Sequence, residues 1–137
     1  MSALRLGVLA HSTLLEAIEQ VGRQITADSN VKVETKLEGA PLPLSEHREA
    51  NLLRIAQEAM TNAVRHAGAS RIGVRLAYQA GSVILEVEDD GRGMSDPGPT
   101  GFGVEGMRER ARQIGGQIDI RGQPGRGTRV VVIVPNA

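Results

Sequence analysis

The sequence has no cysteine and no tryptophan, and only one tyrosine and one phenylalanine among its 137 residues. Without cysteine there are no disulfides or thiolate metal centres, and the three scattered histidines, His11, His47 and His66, lack metal-ligand spacing. So few aromatic rings cannot build a base-stacking surface for nucleic acid. Sixteen Lys and Arg residues balance sixteen Asp and Glu residues, so no broad positive field attracts nucleic acid or an anionic membrane. No apolar run approaches the ~20 residues of a membrane span, and the opening MSALRLGVLA lacks the basic and long apolar segments of a signal peptide. These absences predict a soluble, cytoplasmic chain that makes no direct contact with nucleic acid or membrane. The length suits one domain over residues 1–137, because two independent domains would each be too small to bury a core.

What is present is strong periodicity. Leu14, Leu15, Ile18, Val21 and Ile25 share one helical face, and the helix should end near Asp28-Ser29-Asn30. Val31, Val33, Thr35 and Leu37 alternate with Lys and Glu as in a half-buried strand. Pro41 and Pro43 then break the pattern, and Ser45 is the expected N-cap of a long helix running to about His66. The runs Ile72-Val74-Leu76 and Val83-Leu85-Val87 flank the turn Gln79-Ala80-Gly81 as a hairpin. A glycine-rich loop from Gly91 to Gly103 leads to a helix from Val104 to Ile114, stopped by Gly115-Gly116. Ile118-Ile120 and Val130-Val132-Val134 form a closing hairpin. The order predicts an α+β fold, a two-layer sandwich with helices on one face of a mixed, mostly antiparallel sheet.

Four segments carry chemistry. In LLRIAQEAMTNAVRHA, Leu52, Ala56, Ala59, Ala63 and Ala67 track one face while Glu58, Asn62 and Arg65 share another. A polar stripe is often just a solvated face, but asparagine is a poor helix former, and its position suggests a task for the amide oxygen. Such an oxygen suits Mg²⁺, which takes few protein ligands and keeps waters and phosphates. In Val87-Glu88-Asp89-Asp90-Gly91-Arg92-Gly93-Met94 an apolar strand ends in acids and closely spaced glycines, which by itself is a common turn. Gly101-Phe102-Gly103 opens directly into the helix at Val104, where backbone N–H groups can approach phosphate. Gly125-Arg126-Gly127-Thr128, taken alone, is a hairpin turn.

In this order the four segments resemble the Bergerat-type ATP-binding domain of sensor histidine kinases, type II topoisomerases, the large heat-shock chaperone and mismatch-repair ATPases. The resemblance covers roughly residues 44–135. Glu58 to His66 looks like the N box, Asp90-Gly91-Arg92-Gly93 the first glycine box, Gly101-Phe102-Gly103 the second and Gly125 to Thr128 the last. The stretches IAQEAMTNAVRHAGAS and GMRERARQIGG are similar to the nitrate-sensor and desaturase-sensor kinases, which work with DNA-binding response regulators. The resemblance implies ATP and Mg²⁺ as cofactors, with Asn62 as metal ligand and Glu58 orienting a metal-bound water or helping to activate an acceptor imidazole. It places Arg65 near phosphate, and His66 either there or as a helix cap. Asp90 is expected to accept from the adenine amino group, with Asp89 on the opposite strand face and less important. Gly91 and Gly93, with Met94, would line the base; Gly101, Phe102, Gly103 and Val104 would close over the phosphates; Thr128 would help hold adenine through water.

The implied activity is transfer of the ATP γ-phosphoryl group to a histidine on a separate dimerisation domain, for relay to a response regulator. The dimerising hairpin is expected to be absent from this chain, since His11 in Leu9-Ala10-His11-Ser12-Thr13 has no adjacent acid. The parent kinase could itself be an inner-membrane sensor. Two alternatives stay open: a stand-alone anti-sigma-factor serine kinase and a non-catalytic ATP-sensing module.

Overall fold

The computed structural model describes residues 13–92 and 103–135. Helix α1, Leu14–Thr26, starts in a capping box: the Thr13 hydroxyl accepts from the Glu16 N–H (3.2 Å), and the Glu16 carboxylate accepts from the Thr13 N–H (2.9 Å). Strand β1, Lys32–Glu38, leads through the proline segment to α2, Glu46–Arg65, whose N-cap Ser45 accepts from the Arg48 N–H at 3.1 Å. Strands β2, Arg71–Gln79, and β3, Ser82–Asp89, are joined by Ala80-Gly81, with Gly81 at φ +83° as a tight hairpin turn requires. Helix α3, Val104–Gln113, is followed by β4, Gln117–Gln123, and β5, Gly127–Pro135. The element types and order are those expected from the periodicity, with boundaries displaced by a residue at several ends.

The strands form one sheet in the order β1-β2-β3-β5-β4. Only the β1–β2 pair is parallel, which fits its connection through a long helix; the other pairs are antiparallel. One sheet face carries Ile72, Val74, Leu76, Val83, Leu85, Val87, Val130, Val132 and Val134, all buried in a single core with the helices. From α2 the core receives Leu52, Ile55, Ala56, Ala59, Met60 and Ala63. The expected stripe of Leu52, Ala56, Ala59 and Ala63 is therefore the packed face, while Ala67 lies past the helix end and is only partly buried.

The opposite sheet face carries a charge ladder across four strands, beside an apolar row of Ala77, Ile84 and Ile133 on β2, β3 and β5. Arg75 bridges Glu38 of β1 (2.9 Å) and Glu86 of β3 (3.2 Å), and Glu86 also accepts from Arg129 of β5 (2.6 Å). Burial favours the neutral Glu86 carboxyl, but Arg129 and Arg75 outweigh it and hold the group below the ordinary carboxylate range. Alternation of apolar and charged residues thus fixes which face meets the helices.

Leu85 lies on the central strand with no solvent exposure, between Leu76 and Val132. Leu85→Ala should cost about 2–5 kcal/mol, measured by urea unfolding. A loss below 1 kcal/mol, on the order expected of a surface site, would show that this face is not the core.

Candidate functional site

The site forms where the C-terminal half of α2, the end of β3, the start of β5 and the N-terminus of α3 converge. On α2, Glu58 and Asn62 are half-buried one helical turn apart, followed by exposed Arg65 and His66. The Asn62 carbonyl accepts from the His66 N–H (2.9 Å) and the Ala67 N–H (3.1 Å), closing the helix. Gly68 then takes φ +62° and turns the chain towards β2. His66 is therefore the C-cap of α2, consistent with the capping alternative.

The α2–β2 loop is fastened to the first glycine box. The Arg92 N–H donates to the Ala67 carbonyl at 2.9 Å, and the Gly125 N–H donates to the Arg92 carbonyl at 2.7 Å. A Cβ on Gly91 would stand 2.5 Å from the Ala67 Cβ and 2.6 Å from its carbonyl oxygen, so only glycine fits there. Gly127, at φ +92°, packs directly on the Asp89 carbonyl. Gly103, at φ +77°, faces the Glu58 carboxylate so closely that a side chain there would collide with it. Segments distant in sequence, from the N box, Gly91-Arg92, Gly103 and the last glycine box, are thereby in contact.

The two acids at the end of β3 have opposite surroundings. Asp89 follows Val83, Leu85 and Val87 in the alternation and is buried on the helix-facing side of the sheet. Its Oδ1 accepts from the Gly91 N–H at 2.7 Å. Burial pushes its carboxyl above the ordinary value, against the pull of the Gly91 and Thr128 N–H groups; Asp90 and Glu88 push it further up. Thr128 lies on the same face, in step with Val130 and opposite Gly122.

Asp90 is exposed, and its carboxylate is taken up by the chain itself. Its Oδ1 accepts from the Ser70 N–H (2.8 Å) and the Arg71 N–H (2.9 Å), and its Oδ2 from the Ser70 hydroxyl (2.6 Å). The Ser70 hydroxyl and the backbone donors of Arg71 and Ser70 hold it below the ordinary carboxylate value. The two acids lie on opposite faces as expected, but the inward-facing one is Asp89 and the exposed one is Asp90. The pleat does separate the two acids, but it sends Asp89 inward because Asp89 is in phase with the buried valines.

Of the other expected site residues, Val104 is fully buried at the start of α3, whereas Gly93, Met94, Gly101 and Phe102, like His11, lie outside the described residues. Sequence reasoning gave Asp89 the lesser part of the pair and passed over Ser70 and the Ala67 carbonyl. The signal for Asp89 was available in the period-two run Val83-Leu85-Val87-Asp89; a backbone carbonyl leaves none. Among the described residues no group of three or more His, Asp or Glu side chains could hold a metal alone. No helix among them is long and apolar enough to cross a membrane. An open depression of about 430 Å³ lined by Ser45, His47, Arg48, Gln113, Ile114 and Gly115 lies at the other end of α2. It is about 25 Å along the helix from Asn62, at 1.5 Å per residue, and does not belong to this cluster.

Comparison with known proteins agrees with this geometry. The chain is 35% identical over 120 residues to the sensor histidine kinase LnrJ of Bacillus subtilis, covering 86% of this chain and 29% of that protein. It is 35% identical over 140 residues to the signal transduction histidine-protein kinase/phosphatase UhpB of Salmonella typhimurium, covering 98% of this chain and 27% of that protein. The chain thus spans under a third of the length of these relatives. In fold it is similar to the blue-light activated histidine kinase EL346 of Erythrobacter litoralis, with a TM-score of 0.75 at 21% identity over 90% of this chain and 42% of that one. It is likewise similar to the catalytic domain of histidine kinase ThkA, with a TM-score of 0.73 at 14% identity over 90% of both chains. Residues 47–137 match the model of the histidine kinase-, DNA gyrase B- and HSP90-like ATPases, and the chain belongs to that family.

Proposed function

We propose that this chain is the catalytic domain of a sensor histidine kinase: it binds ATP and passes the γ-phosphoryl group to a histidine on a separate dimerisation domain, for relay to a response regulator. The observation that carries the reading is the Asp89 carboxylate, buried beside Gly91, Gly127 and Thr128 and facing the same layer as the N-box helix. Two backbone donors leave acceptor capacity on a carboxylate, which has about four lone-pair sites, so Asp89 can also accept from an exocyclic amine. Adenine presents such a donor where guanine presents an acceptor. That relatives over most or nearly all of this chain are named as histidine kinases supports the kinase reading over other activities of the family.

In this reading Asp89 selects the base and Thr128 assists through water. Gly91 and Gly127 let the backbone pass close to the base, and the family resemblance gives Gly93 and Met94 a part in holding it. The N-terminus of α3 at Gly103 and Val104, preceded by Gly101 and Phe102, faces the phosphates, where the helix dipole favours anions. Arg65 and His66, exposed at the end of α2, lie on the phosphate side. The donor set fits Mg²⁺: one amide oxygen, from Asn62, suits an ion that completes its shell with phosphates and water. When bound it would neutralise phosphate charge. The acceptor imidazole nitrogen attacks the γ-phosphorus, the bond to the β–γ bridging oxygen breaks, and ADP leaves. Glu58 orients the acceptor imidazole or receives its proton. The domain works in the cytoplasm, as one unit over residues 1–137, with a DNA-binding regulator as the downstream partner.

Asp89→Asn should weaken ATP binding about tenfold to a hundredfold, since losing a charged acceptor costs roughly 1.5–3 kcal/mol. Calorimetric titration with ATP and GTP checks this, and unchanged ATP affinity with unchanged preference over GTP would remove Asp89 from the base. Asn62→Ala should abolish phosphoryl transfer to a supplied acceptor domain from a relative, with the circular dichroism spectrum retained. A normal transfer rate in that variant would reduce this helix face to solvated surface.

A further inference from the structure

Asp90 is left without a ligand role once Asp89 takes the base, yet its side chain is among the most fully bonded in the described structure. Its two oxygens accept from three donors, all on Ser70 and Arg71 at the entry to β2. In the β2–β3 ladder the last paired residues are Ile72 and Asp89. The next rung would pair Arg71 with Asp90. Half of it is present, since the Asp90 N–H donates to the Arg71 carbonyl at 3.3 Å. The other donor, the Arg71 N–H, goes to the Asp90 side chain at 2.9 Å.

The side-chain oxygen thus stands in for the carbonyl that would otherwise close the rung. That substitution ends the ladder at Asp89 without stranding the Arg71 N–H, and it releases the Asp90 carbonyl from the strand direction. The chain can then turn at once, and the turn brings the Gly91 N–H back to the Asp89 carboxylate at 2.7 Å. It also carries Arg92 to the Ala67 carbonyl, joining the turn to the end of the N-box helix.

We infer that Asp90, with Ser70, is a positioning pair that locks the end of β3 so that Asp89 is presented to the adenine base. The inference rests on the assignment of Asp89 as base contact. It implies that the pair acts on nucleotide recognition through Asp89 and Gly91, without touching the nucleotide.

The test uses the full chain with ATP and with inosine triphosphate, whose base lacks the amino group, and follows hydrogen exchange at the Gly91 amide by NMR. Asp90→Ala should weaken ATP about tenfold, the scale of one hydrogen-bonded contact, weaken inosine triphosphate much less, and speed Gly91 exchange. Asp90→Asn keeps a carbonyl oxygen for the two backbone donors and should recover most of the loss. Ser70→Ala, which removes one donor of three and leaves the backbone intact, should give a smaller shift in the same direction if Asp90→Ala does not fold. In an Asp89→Asn background the Asp90→Ala change should cost little more ATP affinity, because its route is already cut. Equal weakening of both nucleotides, or ATP affinity and Gly91 exchange unchanged in Asp90→Ala or its Ser70→Ala substitute, would overturn the inference. If Asp89→Asn itself leaves ATP and inosine triphosphate affinities unchanged, the base assignment fails. The lock is then judged by Gly91 exchange alone, which unchanged would overturn it and accelerated would sustain it.

Discussion

A carboxylate withdrawn from water must find donors nearby, and at Asp89 that requirement organises the whole end of the sheet. Desolvating an ion costs several kcal/mol even after relaxation. The Gly91 and Thr128 N–H groups meet part of that cost. To deliver the first, the chain must reverse immediately after Asp90, pressing Gly91 against Ala67; to deliver the second, β5 must start with Gly127 on the Asp89 carbonyl. Neither position has room for a Cβ. The glycines are therefore consequences of a buried acid as much as of a passing nucleotide. Burial still wins over the two donors and keeps the Asp89 carboxyl above its ordinary value.

Much of this architecture was legible before any coordinates. Eight elements follow from period and punctuation because each buries one face: the alternating valines of β3 and β5 and the Leu-Ile-Ala stripe of α2 leave little choice. The parallel β1–β2 pair fits the intervening helix. The site was legible as a set of segments but not as a set of contacts. Asp90 drew attention because it sits directly before glycine, yet which of two adjacent acids turns inward depends on strand phase, and that had to be counted from Val83 rather than from the turn. The polar face of α2 shows the same limit. Asn51 is buried through its own bonds, its amide donating to the His47 carbonyl at 2.9 Å. Spacing alone does not separate it from Asn62, 11 residues later in the same helix, for which a ligand role is proposed.

The Ala67 carbonyl and the Ser70 hydroxyl were beyond reach for a different reason. Their partners, Arg92 and Asp90, are more than twenty residues away in one case and twenty in the other, and they meet only because β2 and β3 pair in one register. Long-range pairing of this kind is a property of the assembled sheet. A shift of one residue would exchange the surroundings of Asp89 and Asp90 while leaving every local pattern intact.

In the proposed site, adjacent acids with opposite surroundings also divide labour between ligand and scaffold. The strand pleat sends one side chain to the helix layer and the next out of it. Asp89 is therefore held inside, where burial outweighs its two backbone donors, and Asp90 in a place where three donors satisfy it. The same division recurs on α2. Ala56, Ala59 and Ala63 are buried small side chains that let the helix backbone approach the sheet closely, while Glu58 and Asn62 stay on its margin. Glu58 meets Gly103 because Gly103 lacks a side chain. Small residues on the packed face thus determine where the polar face ends up, so substitutions that enlarge the α2 alanines would displace Glu58 and Asn62 from the proposed nucleotide site without altering a single group proposed to touch it.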